Sequence, residues 1–202
     1  MKLYDWSIAP NPRRVRIYLR EKGIDIPIEE AGYPDKPILQ PEYLAAHPHR
    51  RVPLLVLDDG TEISEAMAIC RYFEEIQPDP PLFGRDAKEK AEVEMWSRRA
   101  ELNIMTCVAA GFRHTSDFFK GLEDQVPAWG ELNKGKAPER FTWLDGVLAD
   151  REFVAGTNYS VADITALIAV DFARVVGLKV TDEWPNLARW HGAMSARPSA
   201  KA

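Results

Sequence analysis

The chain has few cysteines. Among its 202 residues only Cys70 and Cys107 carry thiols, and they lie far apart in the sequence. A disulfide-stabilised scaffold would need more cysteines, and no CxxC pair is present to support dithiol chemistry. Two isolated thiols favour a reducing compartment, so we expect the protein in the cytoplasm.

An excess of positive charge is also absent. Lysine and arginine number 26 against 31 acidic residues, and the formal net charge is −5. A general nucleic-acid binder usually carries a basic surplus, so we expect no nucleic-acid partner. The four histidines do not follow the spacing of a metal site, since His47-x-His49 is too short a motif to indicate one, and we expect no metal.

Long apolar runs are missing as well. The most apolar segment, residues 164–176, contains Asp171 and Arg174 and is too short to span a bilayer. Residues 1–6 lack the apolar core of a signal peptide. We therefore expect no membrane partner.

Short strand patterns alternate with helical patterns in the first third of the chain. Pro12 suits the first turn of a helix that Gly23 ends, and Ser64 can cap a helix beginning at Glu65. The predicted strands cover residues 2–6, 24–30, 52–57 and 61–63, and the predicted helices cover residues 12–22, 41–46 and 65–76. The order β-α-β-α-β-β-α, with three parallel strands and an antiparallel edge hairpin, is a thioredoxin-like arrangement.

Strand patterns disappear after a proline-rich segment at residues 77–86, which reads as a linker between domains. Helical patterns follow at residues 87–112, 116–133, 138–149, 161–176 and 185–196. The pattern at 161–176 is apolar almost all round, which predicts a central buried helix. Ser160 and Asp163 at its start have the spacing of a capping box, a structural rather than a catalytic feature.

Four segments, taken together, resemble a known family. In chain order they are KLY…NPRRVR at residues 2–16, HPHRRVPLL at 47–55, ISEAMAI at 63–69 and GTNYSVAD at 156–163. Their order and spacing resemble those of cytosolic glutathione transferases, with a theta-, phi- or bacterial nu-like turn at residues 9–12. The likeness extends over nearly the whole chain.

The resemblance implies a thioredoxin-like domain at residues 1–76 that binds glutathione as co-substrate. It also implies a linker at 77–86 and an all-helical domain at 87–202 that contributes the electrophile pocket. Such enzymes commonly act as homodimers in detoxification, so we expect a homodimer. We expect its second substrate, beside glutathione, to be a small electrophile. Candidate pocket residues lie along the first long helix, although such side chains are more often core: Met95, Trp96, Arg99, Asn103, Met105, Phe112 and His114.

The Val52-Pro53 segment is the first part of the expected glutathione site. In the family this bond is cis, which leaves the Val52 N–H and C=O facing outward to pair with the peptide backbone of glutathione. The alternative is a proline that merely begins a strand. Arg51 matches the basic residue that could pair with the glycyl carboxylate, although a surface cation is the simpler reading. His47 and Arg50 depart from the usual Asn and Gly of this loop.

Glu65 and Ala66 match the family pair that holds the γ-glutamyl end. Glu65 could bind the ligand's ammonium group, and the N-terminus of the helix attracts its carboxylate. Ala66 replaces a usual Ser and removes one hydroxyl donor, which weakens binding by about 1.5–3 kcal/mol at most. The alternative for Glu65 is an ordinary acid that stabilises the helix dipole.

The group that activates the glutathione thiol is the open question. Ala9 stands where relatives carry Ser or Cys. Its side chain can neither donate a hydrogen bond to the glutathione thiolate nor take part in dithiol chemistry. Asn11 offers an amide donor, and Ser7 offers a hydroxyl two residues before the position of the family's Ser. We rank Asn11 above Ser7 as the group that activates the thiol. Asn11 could instead be a turn-forming residue, and the arginines at 13, 14 and 16 could be a solvated helix face.

The expected function is conjugation of glutathione to small hydrophobic electrophiles, weakened because Ala9 and Ala66 remove two hydroxyls. One alternative is a glutathione-dependent disulfide reductase that uses no protein cysteine. Another is a non-catalytic glutathione- or ligand-binding protein with the same fold. Ala9 favours the binding protein, whereas Asn11 and Glu65 favour the enzyme.

Overall fold

A computed structural model describes residues 1–33, 39–47 and 51–202. The chain forms two compact units: Met1–Pro81 together with Lys201–Ala202, and Leu82–Ala200. Among the described residues, none of the helices combines the length and hydropathy needed to cross a bilayer.

The first unit has the predicted thioredoxin-like order of elements. These are β1 (Lys2–Asp5), α1 (Pro10–Lys22), β2 (Ile28–Glu30), α2 (Pro41–Ala46), β3 (Leu54–Val56), β4 (Glu62–Ser64) and α3 (Ala66–Ile76). The strands of this described region form one sheet in the order β2-β1-β3-β4. Gly23, with φ 65°, ends α1 by donating its N–H to the carbonyls of Arg20 and Leu19.

Strand direction in the sheet differs from the prediction. β1 and β2 are parallel, but β3 is antiparallel to β1, with Leu55 opposite Leu3, so the prediction of three parallel strands was wrong. An apolar run shows that a strand is buried but not which way it runs, because direction depends on where the chain re-enters the sheet. β4 pairs antiparallel with β3, as the predicted hairpin requires.

Two helix starts also differ. Helix α1 begins at Pro10 rather than Pro12, because Ala9 already has the extended backbone of an N-cap and proline tolerates the whole first turn. Helix α3 begins at Ala66, with Glu65 as N-cap, so the prediction that Ser64 caps a helix from Glu65 was wrong. Ser64 instead ends β4.

The core of the first unit lies between the sheet and helices α1 and α3. Tyr18 from α1, Phe73 from α3, and Leu3 and Leu55 from the sheet are each at most 1% exposed. Burial of such side chains stabilises a fold by about 1.5–3 kcal/mol each. This packing holds α1 and α3 against each other and against the sheet.

The second unit is helical. Its helices are α4 (Ala87–Arg99), α5 (Thr106–Thr115), α6 (Pro127–Val147), α7 (Val161–Phe172) and α8 (Pro185–Ser195). A π-helical segment, Ala100–Met105, joins α4 to α5, so the long helix predicted from residue 87 is present with a local change of winding. Every residue from 161 to 170 is at most 4% exposed, which confirms the buried central helix.

The capping box at the start of α7 is confirmed. The Asp163 carboxylate accepts the Ser160 N–H at 3.1 Å, and the Ser160 hydroxyl oxygen accepts the Ala162 N–H at 3.3 Å. The Asp163 carboxylate also accepts from the Val154 N–H at 2.8 Å and from Trp190 Nε1 at 3.0 Å. Asp163 therefore ties together three segments of the second unit.

The region from residue 116 to 149 was predicted only in part, since residues 127–133 and 138–147 are helical as expected. Only Asp117–Phe119 is helical before a turn at Gly121, whose φ is 78°. Helix α6 then starts at Pro127 and runs through Pro138, where a break was expected. Proline costs a helix interior about 3 kcal/mol, but burial of Ala137 and Phe141 beside it offsets that cost.

Candidate functional site

Three strands of the sheet begin or end at the same side, which we call the sheet edge. Leu54, the first residue of β3, lies opposite Tyr4 of β1 and Ser64 of β4. Because both pairings are antiparallel, the chain before Leu54 and the chain after Tyr4 and Ser64 leave the sheet at this same edge. The predicted site residues Ser7, Asn11, Arg51, Val52, Pro53, Glu65 and Ala66 all belong to these segments, so the fold brings them to one edge of the first unit.

The Val52-Pro53 bond is cis, as the resemblance to the family implied. Strand pairing ends at Leu54, so the peptide groups of Val52 lie beyond the sheet ladder. The Val52 side chain packs against a buried group that contains Ala31, Tyr43 and Leu54. With the side chain directed inward, the main chain at this position can face a ligand.

Glu65 has an unusual backbone. Its φ is 70° and its ψ is 120°, and among the described residues it is the one non-glycine with positive φ. Such a conformation costs about 1–3 kcal/mol and persists where the surroundings impose it, which is common at ligand sites. Its exposed carboxylate makes no capping hydrogen bond in the described part of the chain, and the first turn of α3 holds no acidic residue.

The N-terminus of α3 can therefore bind an anionic group of a ligand. The Glu65 carbonyl accepts the Ile69 N–H at 3.0 Å and begins the helix. Ala66 is 4% exposed, and its small side chain adds no hydroxyl to the N–H groups at this terminus. The positive end of the helix dipole favours a carboxylate here.

The loop between β1 and α1 is held from two sides at Ser7. The Ser7 N–H points to both carboxylate oxygens of Glu30, each at 3.2 Å. The Ser7 carbonyl accepts from Arg16 Nη2 at 3.0 Å, while Arg16 Nη1 contacts the buried Asp5 carboxylate at 2.6 and 2.7 Å. The exposed Ser7 hydroxyl thus lies in a loop with a carboxylate beside it.

Asn11 occupies the second position of α1. Pro10 and Pro12 on either side have no N–H, so Asn11 supplies the one main-chain donor of the first three helical positions. Its Oδ1 accepts from Arg14 Nη1 at 3.3 Å. A guanidinium can only donate, so this contact assigns the oxygen and leaves Nδ2 as a donor on an exposed side chain.

The arginines of α1 are not a solvated face as the simpler reading held. Arg14 is 2% exposed, and the Arg16 side chain is 15% exposed and paired with Asp5. That reading was wrong because an amphipathic pattern does not reveal which cations meet a buried acid. With no acidic residue in its first turn, α1 presents a positive N-terminus at the sheet edge.

The two protein thiols are both buried and poorly suited to catalysis. Burial raises the pKa of Cys70 to about 12. Burial also raises the pKa of Cys107, whose Sγ contacts the Asn133 carbonyl at 3.2 Å. Neither thiol ionises readily at neutral pH. Within the ranges the structure describes, no cluster of metal-ligating side chains occurs.

The candidate pocket residues of the second unit divide into core and surface. Trp96 and Met105 are each 8% exposed, and Trp96 stacks on Trp143, so these two belong to the core. Arg99 lies over the Trp96 ring at 4.7 Å. Met95 is 38% exposed, and His114 is half-buried and accepts the Val126 N–H at its Nδ1 at 3.1 Å.

Sequence reasoning did not single out Glu30 or Tyr43. Glu30 holds the Ser7 loop, and the Tyr43 hydroxyl donates to the Arg51 carbonyl at 2.5 Å. Neither residue lies in a recognisable motif, and the Ser7 partner is 23 residues away in sequence. Contacts of this kind become visible only in the folded chain. Arg50, which departs from the family pattern, lies outside the described residues.

Comparison with known proteins gives a consistent result. Residues 3–81 match the family described as glutathione S-transferase, N-terminal domain, and residues 131–198 match glutathione S-transferase, C-terminal domain. Glutathione S-transferase 2 of Saccharomyces cerevisiae is 36% identical over 208 residues, covering 100% of this chain and 88% of the yeast protein.

Solved structures agree with the sequence matches. A glutathione S-transferase domain-containing protein of Marinobacter aquaeolei VT8 is 37% identical with a TM-score of 0.88, over 98% of this chain and 99% of that one. A glutathione S-transferase from Methylobacillus flagellatus KT, solved with glutathione bound, is 26% identical with a TM-score of 0.83, over 99% and 96% of the two chains.

Proposed function

Because the chain belongs to the glutathione S-transferase family and is a glutathione transferase, we propose that it conjugates glutathione to small hydrophobic electrophiles at the sheet edge described above. The observation that carries the proposal is the backbone of Glu65. Strained non-glycine residues cluster at ligand sites, and Glu65 is one at a helix start, beside the Val52-Pro53 turn.

The γ-glutamyl end of glutathione binds at the start of α3 in this proposal. The Glu65 carboxylate pairs with the ligand's ammonium group, and the Ala66 N–H with the helix dipole holds its α-carboxylate. The missing hydroxyl at Ala66 lowers affinity but leaves these two interactions. The cysteinyl part of the ligand then pairs as a short added strand with the main chain of Val52.

The glycyl carboxylate is assigned to Arg51, which is exposed and directly precedes Val52. A guanidinium binds a carboxylate through two parallel hydrogen bonds and sets orientation as well as affinity. This leaves the thiol directed toward the β1–α1 loop and the N-terminus of α1.

Thiol activation is assigned to Asn11 rather than Ser7. A free thiol with a pKa near 8.5 is mostly protonated at neutral pH, so the site must stabilise the thiolate. At Ser7 the Glu30 carboxylate, 3.2 Å from the main-chain nitrogen, would repel a thiolate. At Asn11 the main-chain N–H, the Nδ2 donor and the positive helix terminus all favour it.

The reaction that follows is a nucleophilic substitution or addition. In a substitution the thiolate attacks an electron-poor carbon, a carbon–sulfur bond forms, and the leaving group departs with its electron pair. In an addition the same bond forms while the substrate's π bond breaks, and the displaced electron pair takes up a proton from water. We place the electrophile against the helical region at residues 87–202, with residues 1–76 binding glutathione and residues 77–86 linking the two. A cytoplasmic homodimer acting in detoxification, with no metal, completes the proposal.

Turnover of 1-chloro-2,4-dinitrobenzene with glutathione tests this assignment. Wild type should form the thioether, and Asn11→Ala should lower kcat/KM by about 10-fold or more, since hydrogen bonds to charged groups contribute about 1.5–3 kcal/mol. Ser7→Ala is the matched control and should change kcat/KM less than about 3-fold. Equal losses in both variants would contradict the assignment to Asn11.

Glutathione-dependent disulfide reduction is the second candidate. The buried, protonated state of Cys70 means that such a reaction would proceed through glutathione alone, first as a mixed disulfide with the substrate and then with a second glutathione. Reduction of hydroxyethyl disulfide faster than conjugation of every electrophile tried would favour this activity.

A further inference from the structure

Three aromatic rings pack together beside the proposed glutathione site. Tyr4 of β1, Tyr43 of α2 and His47 at the end of α2 form this three-ring cluster. The ring centroids of Tyr4 and Tyr43 are 5.2 Å apart, those of Tyr43 and His47 4.8 Å, and those of Tyr4 and His47 4.9 Å. Aromatic pairs at these separations contribute about 0.5–1.5 kcal/mol beyond their burial, so the cluster restricts the Tyr43 ring.

Tyr43 reaches from this cluster to the main chain before the cis bond. Its hydroxyl donates to the Arg51 carbonyl at 2.5 Å, and the side chain is 6% exposed. Burial raises the pKa of Tyr43 to about 12, so the hydroxyl remains a donor at neutral pH. Because strand pairing ends at Leu54, the ladder does not hold this part of the chain, and the Tyr43 hydrogen bond does.

The same cluster is tied to the other half of the proposed site. His47 Nδ1 lies 2.6 Å from Glu62 Oε1, and His47 is 8% exposed. Glu62 begins β4, which ends at Ser64 directly before Glu65. The three-ring cluster therefore lies between the segment at Arg51 and the strand that leads to Glu65.

We propose that Tyr43 is a positioning residue that sets the main chain of Arg51 and Val52 relative to Glu65, so that both ends of glutathione are bound at once. This inference rests on the proposed function. Tyr43 contacts neither ligand nor electrophile in this arrangement; it acts through the Arg51 carbonyl. Loss of its hydroxyl weakens glutathione binding and leaves the chemistry at the thiol unchanged.

Tyr43→Phe tests the proposal, because it keeps the ring and removes only the hydroxyl. We expect the glutathione dissociation constant, measured by calorimetry, and the KM for glutathione to rise by about 3- to 10-fold, the range of one net hydrogen bond. The kcat at saturating glutathione, with 1-chloro-2,4-dinitrobenzene, should stay within about 2-fold of wild type.

Tyr18→Phe is the matched control. Tyr18 is fully buried in the same unit, and its hydroxyl donates to Glu74 at 2.6 Å, away from the sheet edge. It should lower the melting temperature and leave the dissociation constant unchanged. The proposal would be overturned if the glutathione dissociation constant were unchanged in Tyr43→Phe, or if it were raised equally in both variants.

Two further results separate the possible failures. If wild type itself does not bind glutathione, the proposed function fails; if wild type binds and Tyr43→Phe binds equally well, only the role of Tyr43 fails. Should Tyr43→Phe not fold, as judged by circular dichroism, His47→Gln replaces it. This variant removes one ring of the cluster and should raise the constant in the same direction, and an unchanged constant would again overturn the proposal.

Discussion

Replacing Glu65 separates the strain of the backbone from the charge of the side chain. Glu65→Gly removes both, because glycine adopts φ near 70° without a Cβ penalty. Glu65→Gln keeps the strained backbone and the size of the side chain and removes only the charge. Comparing the two variants therefore assigns each effect to its cause.

The expected magnitudes follow from the geometry. Relief of strain in Glu65→Gly contributes about 1–3 kcal/mol, and the added backbone entropy of glycine in the unfolded chain costs about 0.5–1 kcal/mol. We expect the free energy of unfolding to rise by about 0–2 kcal/mol, or the melting temperature by roughly 0–8 °C at this chain length. Glu65→Gln should change stability by less than about 0.5 kcal/mol, since the side chain is exposed.

Glutathione binding should respond differently. Both variants lose the carboxylate that pairs with the ligand's ammonium group, so the dissociation constant should rise by about 10- to 150-fold in each, from about 1.5–3 kcal/mol. Thermal unfolding and calorimetric titration measure the two quantities. The reasoning fails if Glu65→Gly is less stable than wild type by more than 1 kcal/mol, or if Glu65→Gln binds glutathione as wild type does.

The remaining predictions concern Asp163 and the thiols. Burial raises the pKa of Asp163 to about 6 from 3.8. Between these two pH values the folded state therefore binds more protons than the unfolded state. The contribution of Asp163 to the free energy of unfolding is greatest below pH 3.8, and up to about 3 kcal/mol of it is lost as pH rises through 6. Urea unfolding at several pH values should show this fall in the free energy of unfolding in wild type and not in Asp163→Asn. Parallel pH profiles of the two proteins would refute the prediction. Asp163→Ala should lower the free energy of unfolding by about 3 kcal/mol or more, because Val154, Ser160 and Trp190 lose a shared buried acceptor; a loss below 1 kcal/mol, on the same scale, would contradict this. Cys70 should react with Ellman's reagent only after unfolding, since burial keeps its thiol protonated and inaccessible; rapid labelling of native protein would argue otherwise.

Much of the fold could be predicted because local patterns specify it. Gly23 ended α1, the apolar run at 161–170 formed the buried helix, and Ser160 with Asp163 formed the capping box. Each depends on residues within one or two turns of each other. The order of strands and helices in the first unit was correct for the same reason.

Other features failed because they depend on packing between distant segments. Pro138 reads as a break in the sequence, yet α6 continues through it, with Phe141 fully buried three residues on. The direction of β3 depended on the edge at which the chain re-enters the sheet. The role of Arg16 depended on Asp5, eleven residues away and buried.

The candidate site shows the same division. The residue types at 51–53 and 65–66, and the absence of a hydroxyl at Ala9, can be read from the sequence, and their resemblance to glutathione transferases suggested the site that we propose. The positive φ of Glu65, the carboxylate of Glu30 beside Ser7 and the hydrogen bond from Tyr43 to Arg51 were decided by the folded structure. The two contacts join residues 23 and 8 positions apart, and the strain at Glu65 is imposed by its surroundings. The physical reason is that such features depend on how separate segments pack, and short-range patterns carry no information about that packing.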